Sequence, residues 1–144
     1  MKAVVIVESM FGNTRQVADA VAEGLRGTAS VEVVGVAEAH APLLEPVELL
    51  VVGGPTHAFS MTRGNTREDA VRQGAATEAA VTGVREWIER LHAGPHSELV
   101  ATFDTRVAKV RHLPGSAAKS AAKALRKLGY TAVVPPESFW VADV

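Results

Sequence analysis

Lys2-Ala3-Val4-Val5-Ile6-Val7-Glu8-Ser9-Met10-Phe11-Gly12-Asn13-Thr14 is the stretch on which the fold turns. Ala3 to Val7 is a continuous apolar run, short and rich in β-branched residues, and polar residues end it. Such a run reads as a strand buried on both faces. Thr14 to Leu25 then takes helical spacing: Val17, Val21 and Leu25 share one face, Ala18 and Ala22 flank them, and Gly27 stands where the helix ends. A fully apolar strand leading into an amphipathic helix is the opening of a βαβ unit.

The same alternation continues along the chain. Val31 to Val36 reads as a second strand, and Leu49-Leu50-Val51-Val52 as a third, stopped by Gly53-Gly54-Pro55. Between them there is room for at most a short helix, Glu38 to Leu44. Val84, Ile88 and Leu91 mark a second main helix, with Thr82 as N-cap and Gly94-Pro95 as its stop. Leu99 to Phe103 is a fourth strand. Ser116 to Leu128 has the clearest helical pattern: Ala118, Ala121, Ala122, Leu125 and Leu128 face inward, Ser116 caps the start and Gly129 sits at a left-handed C-cap. Thr131-Ala132-Val133-Val134 begins a fifth strand, which Pro135-Pro136 interrupts and Ser138 to Val141 resumes. This order predicts an α/β fold, a doubly wound five-stranded parallel sheet of order 2-1-3-4-5, as one domain over residues 1–144.

Composition agrees and narrows the function. The 144 residues carry 15 Lys and Arg against 16 Asp and Glu, for a net charge of −1. Neither a basic nucleic-acid surface nor a strongly acidic docking face is expected from that balance. There is no cysteine, which removes disulfide scaffolds, thiolate metal sites and thiol nucleophiles. No apolar run approaches the ~20 residues of a membrane span, and no signal-peptide pattern precedes the first strand. A cytoplasmic protein with no membrane partner is the expectation. His92 and His96 do not share a helical face across Gly94-Pro95, so they read as surface residues and no metal ligand is assigned.

In an open α/β sheet of this order the ligand crevice lies beyond the carboxyl ends of strands one and three. Three loops meet there. The first, Ser9-Met10-Phe11-Gly12-Asn13-Thr14, runs into the first helix. A helix N-terminus with hydroxyl and amide donors suits one phosphate monoester. The Walker lysine and the Gly-x-Gly-x-x-Gly pattern are both absent. The plainer reading is an ordinary loop with Asn13 or Thr14 as N-cap. The second loop is Gly53-Gly54-Pro55-Thr56-His57-Ala58-Phe59-Ser60-Met61. Its glycines admit a ligand to the backbone, and His57, Phe59 and Met61 offer surfaces for a flat ring. The alternative is a Gly-Pro turn with Phe59 in the core. The third is Phe103-Asp104-Thr105-Arg106, with His112 further on. There Asp104 accepts from a ring N–H and Arg106 faces a delocalised anion, or the two form a surface pair. Gly54 to Thr82 is long for a loop, and Thr66-Arg67-Glu68-Asp69 has capping-box spacing for a short helix ending at Gly74. Arg63 and Arg67 read as solvated surface arginines. No catalytic acid–base pair is assigned.

Val4 to Ala18, with Ser9-x-x-Gly12-x-Thr14 between strand and helix, resembles the signature of the flavodoxin family, and Gly53-Gly54-Pro55-Thr56 resembles that family's second flavin loop. The resemblance runs along essentially the whole chain. It implies a flavodoxin-like fold and FMN as cofactor, with the phosphate on Ser9 to Thr14. The isoalloxazine then lies between Pro55-Thr56-His57-Ala58-Phe59 and Phe103-Asp104-Thr105-Arg106 with His112. It further implies electron transfer or a small FMN-dependent oxidoreductase, with an unidentified redox partner or reductant. Arg106 is then expected near the N1/O2 edge and a backbone group near Thr56-His57 at N5. The sequence departs from the family in lacking the Trp and Tyr that usually flank the flavin and in its near-neutral charge. It reaches Val144 without the helix that normally follows strand five, so either the sequence is shortened or one sheet face lacks its cover, and an uncovered face predicts self-association through it or marginal stability. Two other readings stand beside this one: a binding or regulatory module on the same fold without flavin, and a subdomain of a larger flavoenzyme. A phosphoryl-accepting receiver is excluded, because Gly53-Gly54 stands where its aspartate is needed.

Overall fold

The computed structural model describes residues 1–56, 60–67, 82–108 and 115–141. Among the described residues the elements follow in the order β1 (Lys2–Val7), α1 (Asn13–Leu25), β2 (Ser30–Gly35), β3 (Leu49–Pro55), α2 (Val84–Glu89), β4 (Leu99–Val107), α3 (Ala117–Lys127), β5 (Thr131–Ala132) and β6 (Glu137–Val141), with a helical stretch at 64–67 between β3 and α2. All pairings are parallel and the sheet order is β2-β1-β3-β4-β5, with β6 also on β4. The interrupted last strand is thus real. Thr131–Ala132 pairs with Leu99–Val100, and Glu137–Val141 with Phe103–Val107, either side of Pro135-Pro136.

β1 is central, and Ala3 to Val7 are all buried. Alternate side chains feed two cores. Val4, Ile6, Leu50, Val52 and Val100 pack with Trp87, Ile88, Ala121 and Leu125 of α2 and α3. Val5, Val7, Val51 and Phe103 pack on the other face against Ala18 and Ala22 of α1. The two alanines, rather than the valines beside them, are the most deeply buried residues of α1, because small side chains let the helix approach the strands closely.

Several local expectations are corrected. β3 does not stop at Gly53; it runs to Pro55, and β4 runs to Val107 rather than Phe103. Each extension is held by its partner, Gly53 to Pro55 pairing with Phe103 to Thr105. Residues 38–44 form turns and bends, not a helix. Trp87 Nε1 donates to the His40 carbonyl and fastens this segment over α2. The N-cap of α2 is Gly83, not Thr82; the Glu86 carboxylate accepts from the Gly83 N–H at 2.9 Å. α1 ends at Arg26 in right-handed geometry, and Gly27 has no positive φ. Residues 64–67 are helical, so that helix starts before Thr66. Thr66 Oγ1 instead accepts from the Arg63 N–H at 2.9 Å, serving the first turn from inside. Its expected end at Gly74 lies outside the described residues. α3 matches its reading, with Ser116 as cap and Gly129 at φ +100°. Along the β4–β6 edge Leu99, Val133, Val134, Phe139 and Trp140 are exposed.

Candidate functional site

The carboxyl ends of β1, β3 and β4 lie side by side, as their registers require, and α1, α2 and α3 all begin near them, the Val84 N–H at the start of α2 donating to Glu8. The starts of α1 and α3 are built differently.

The start of α3 is closed. Ser116 Oγ accepts from the Lys119 N–H at 3.2 Å, Asp104 Oδ2 from the Ala118 N–H at 3.0 Å, and Thr56 Oγ1 from the Ala117 N–H at 3.0 Å. Ser116 Oγ also donates to Asp104 Oδ2. Three N–H groups that a helix leaves without intrahelical partners are therefore satisfied by side chains from β4, the residue after β3 and the cap itself. Asp104 is fully buried, and its other oxygen, Oδ1, has no hydrogen-bond partner among the described residues. A carboxylate there complements the positive end of the helix.

The start of α1 faces solvent and is capped by the Ser9 side chain. Its N-cap is Gly12 at φ +93°, which offers no side chain to the first turn. Ser9 Oγ accepts from the Gly12 N–H at 3.1 Å and the Arg15 N–H at 3.2 Å. These two donors converge on one oxygen position beside an exposed loop, since Gly12 and Phe11 face solvent. Left-handed geometry at Gly12 is what aims its N–H inward. A phosphate monoester would suit this helix N-terminus by replacing Ser9 Oγ as the acceptor of the two N–H groups, with the serine hydroxyl then free to donate. Thr14 stands apart from that set. It is buried, with its hydroxyl 2.7 Å from Thr105 Oγ1, and so ties α1 to β4. Met10 is buried too, and Asn13 is half-buried at the head of α1.

The second and third loops are more occupied by the protein than the sequence suggested. A Cβ on Gly53 would lie 2.0 Å from the Phe103 ring, and one on Gly54 would lie 3.3 Å from Val84 and 3.6 Å from Glu8. The glycines thus admit neighbouring side chains, not a ligand. The space bounded by Glu8, Gly53, Gly54, Val84, Phe103 and Ala117 is only about 10 Å3, at the limit for one water. It is too small to hold a ring system. Met61, expected at the ring, is in the core. Pro55 is buried, and the Thr56 N–H donates to the Thr105 carbonyl. Arg106 lies with its guanidinium carbon 5.0 Å from the Trp140 ring centroid, opposite Trp140 in the β4–β6 register. Phe103 meets Phe139 edge-on at 6.2 Å on the other face. His57, Ala58, Phe59 and His112 lie outside the described residues.

Sequence reasoning missed a buried polar cluster beneath the first loop. Glu8 is buried at the end of β1 and accepts from Thr62 Oγ1 at 2.5 Å and from the Val84 N–H at 2.8 Å. Arg67, read as a surface residue, is buried; its Nη1 donates to Thr62 Oγ1 at 2.9 Å and pairs with Glu86 at 2.8 Å. Burial pushes the Glu8 pKa above its ordinary value, outweighing the Thr62 and Val84 hydrogen bonds and the Arg67 charge. Partial burial also opposes the charge of Glu86, but the hydrogen bonds from Arg67 and the Gly83 N–H prevail and its pKa is lowered. The one available signal was an acid placed directly after five apolar strand residues. Trp140 was missed as well, because the register that sets it opposite Arg106 is not fixed by the strand's own residues.

A parallel sheet of order 2-1-3-4-5, with helices on both faces and its open helix N-terminus after the first strand, defines a flavodoxin-like fold. Solved flavodoxins share it. An archaeal flavodoxin superposes with a TM-score of 0.67 over 98% of this chain and 84% of its own, at 22% identity. The flavodoxin of Streptococcus pneumonia TIGR4 gives a TM-score of 0.73 over 100% and 88%, at 15% identity. Oxidised flavodoxin 1 from Bacillus cereus gives 0.65 over 100% and 87%, at 16%. At these identities the likeness is one of fold. No protein-family model matches the chain, and no curated protein matches it. No helix among the described residues is long and apolar enough to cross a membrane.

Proposed function

We propose that this chain is an FMN-binding redox protein of flavodoxin-like fold, an electron carrier or a small oxidoreductase. The observation that carries the reading is the contrast between the two helix starts. At α3 the first-turn N–H groups are bonded to side chains. At α1 the Gly12 and Arg15 N–H groups share one side-chain acceptor, the half-buried Ser9 hydroxyl, in a loop that faces solvent, where a phosphate oxygen can take its place. The solved neighbours are flavodoxins, and FMN ends in the phosphate monoester that this donor set fits.

FMN supplies the electron chemistry when bound. The phosphate would take the place of Ser9 Oγ on the Gly12 and Arg15 N–H groups, with the Ser9 hydroxyl and Asn13 as further contacts and Phe11 beside them. The ring would lie over the ends of β3 and β4, beside Arg106; the expected contacts of His57, Ala58, Phe59 and His112 lie outside the described residues. Arg106 places a cation at the end of β4, which favours extra negative charge on a neighbouring ring. Thr14, Thr56, Asp104 and Thr105 act behind this surface, by fixing α1 and α3 to the strand ends.

A second reading, a phosphate-recognising module without flavin, is favoured by one observation: the hydroxyls and carboxylate at the β3 and β4 ends are engaged internally, so few donors remain for a ring. Titration of apo-protein into FMN, riboflavin and inorganic phosphate separates the two. Two charge-assisted hydrogen bonds predict FMN quenching at least about 10-fold tighter than riboflavin. Phosphate binding with no flavin quenching supports the module, and no binding of any of the three defeats both.

A further inference from the structure

The near-neutral net charge hides a segregation. Between Asp104 and Glu137 there is no acidic residue, whereas seven of the fifteen Lys and Arg residues fall there. The structure sets three of them in a row. Lys119, Lys123 and Arg126 are exposed on α3 and line one side of an open groove of about 800 Å3. Val133, Val134, Pro135 and Pro136 line the other side. Val133 is 49% exposed and Val134 51%. None of the three cations is ion-paired with a described residue. β5 ends the path of the sheet, the position where an extended segment can lie alongside.

We propose that this groove docks an extended segment of an acidic protein partner, in which carboxylates alternate with apolar residues. The spacing fits that pattern. A helix rises 1.5 Å per residue, so Lys119 and Lys123 are about 6 Å apart along α3. Alternate side chains of an extended chain are about 6.6 Å apart. One face of such a segment meets the cations while the opposite face covers the valines and prolines. A single small anion would use one cation and leave the apolar wall bare. Nucleic acid fits less well, since the groove presents no exposed aromatic for bases to stack on: Tyr130, its one aromatic residue, is buried. The proposal does not rest on flavin binding, because no groove residue belongs to the candidate flavin site.

The test is fluorescence anisotropy with a labelled Glu-Val-Glu-Val-Glu-Val-Glu peptide at low salt. A Lys-Val counterpart and a labelled oligothymidine are run in parallel. The acidic peptide is expected to bind at least about 10-fold tighter than either, and to weaken strongly at about 0.5 M salt. The triple variant K119E/K123E/R126E should lose at least about 10-fold, with K119Q/K123Q/R126Q intermediate, while R15E/R26E on α1 stays within about twofold. Circular dichroism of each variant checks the fold. No binding of the acidic peptide, or equal loss in R15E/R26E, overturns the proposal. So does oligothymidine binding more tightly through the same three residues. The experiment needs no FMN, so its failure is separate from failure of the flavin reading.

Discussion

The carboxylate of Glu8 ends a strand that is buried on both faces, so its charge must be balanced or given up. Thr62, Val84 and Arg67 balance it in part, yet burial prevails and its pKa is raised. A carboxyl that binds its proton more tightly folded than unfolded contributes stability at low pH. That contribution is lost as pH rises from the ordinary value of 4.5 through the folded pKa. Glu86 has the opposite sign, because its lowered pKa gives stability that is present above its ordinary value and lost as pH falls through the folded one. Urea unfolding of Glu8→Gln across this range should therefore show a smaller loss of stability on raising the pH than the parent. An identical pH slope in both proteins would contradict the role of burial at Glu8. This cluster was not legible in the sequence, where Arg67 reads as one more polar residue in a long loop. Its burial depends on Thr62 and Glu86, partners brought together only by the packing of three elements. Ser9 and Gly12 were legible, because a serine and a left-handed glycine between strand and helix act through local geometry.

Elements owe their ends here to neighbours more than to their own residues. Gly53 and Gly54 look like a stop, yet β3 continues because β4 pairs with it and the Phe103 ring lies across Gly53. Gly53→Ala should cost about 1–3 kcal/mol through overpacking, and Phe103→Leu in the same chain should recover part of that loss. Denaturant melts of the two single variants and the double variant measure it; full additivity would mean the two residues are not in conflict. α3 was readable throughout because its cap, apolar face and terminal glycine are all encoded locally. What could not be read was that Asp104 and Thr56 join Ser116 at its start. Ser116→Ala should therefore destabilise by about 1 kcal/mol, the usual cost of a lost cap. An effect near zero in thermal melts would show that Asp104 and Thr56 suffice.

Over the whole molecule the sequence carries the topology well, since short apolar runs separated by amphipathic helices admit few arrangements. The two-part last strand and the order 2-1-3-4-5 both follow from that pattern. Charge placement does not, because one net value averages a basic α3 against acids elsewhere. The expected position of the site is set by topology, and its openness by which helix start is capped from a solvent-facing loop, by Ser9, rather than by side chains packed on the strand ends. That contrast can be read directly by recording amide NMR spectra of 15N-labelled protein during addition of FMN. The account predicts the largest shifts at the Gly12 and Arg15 amides, with Ala117, Ala118 and Lys119 moving little at their N–H groups. Shifts centred on Ala117 to Lys119, with Gly12 and Arg15 unmoved, would contradict it.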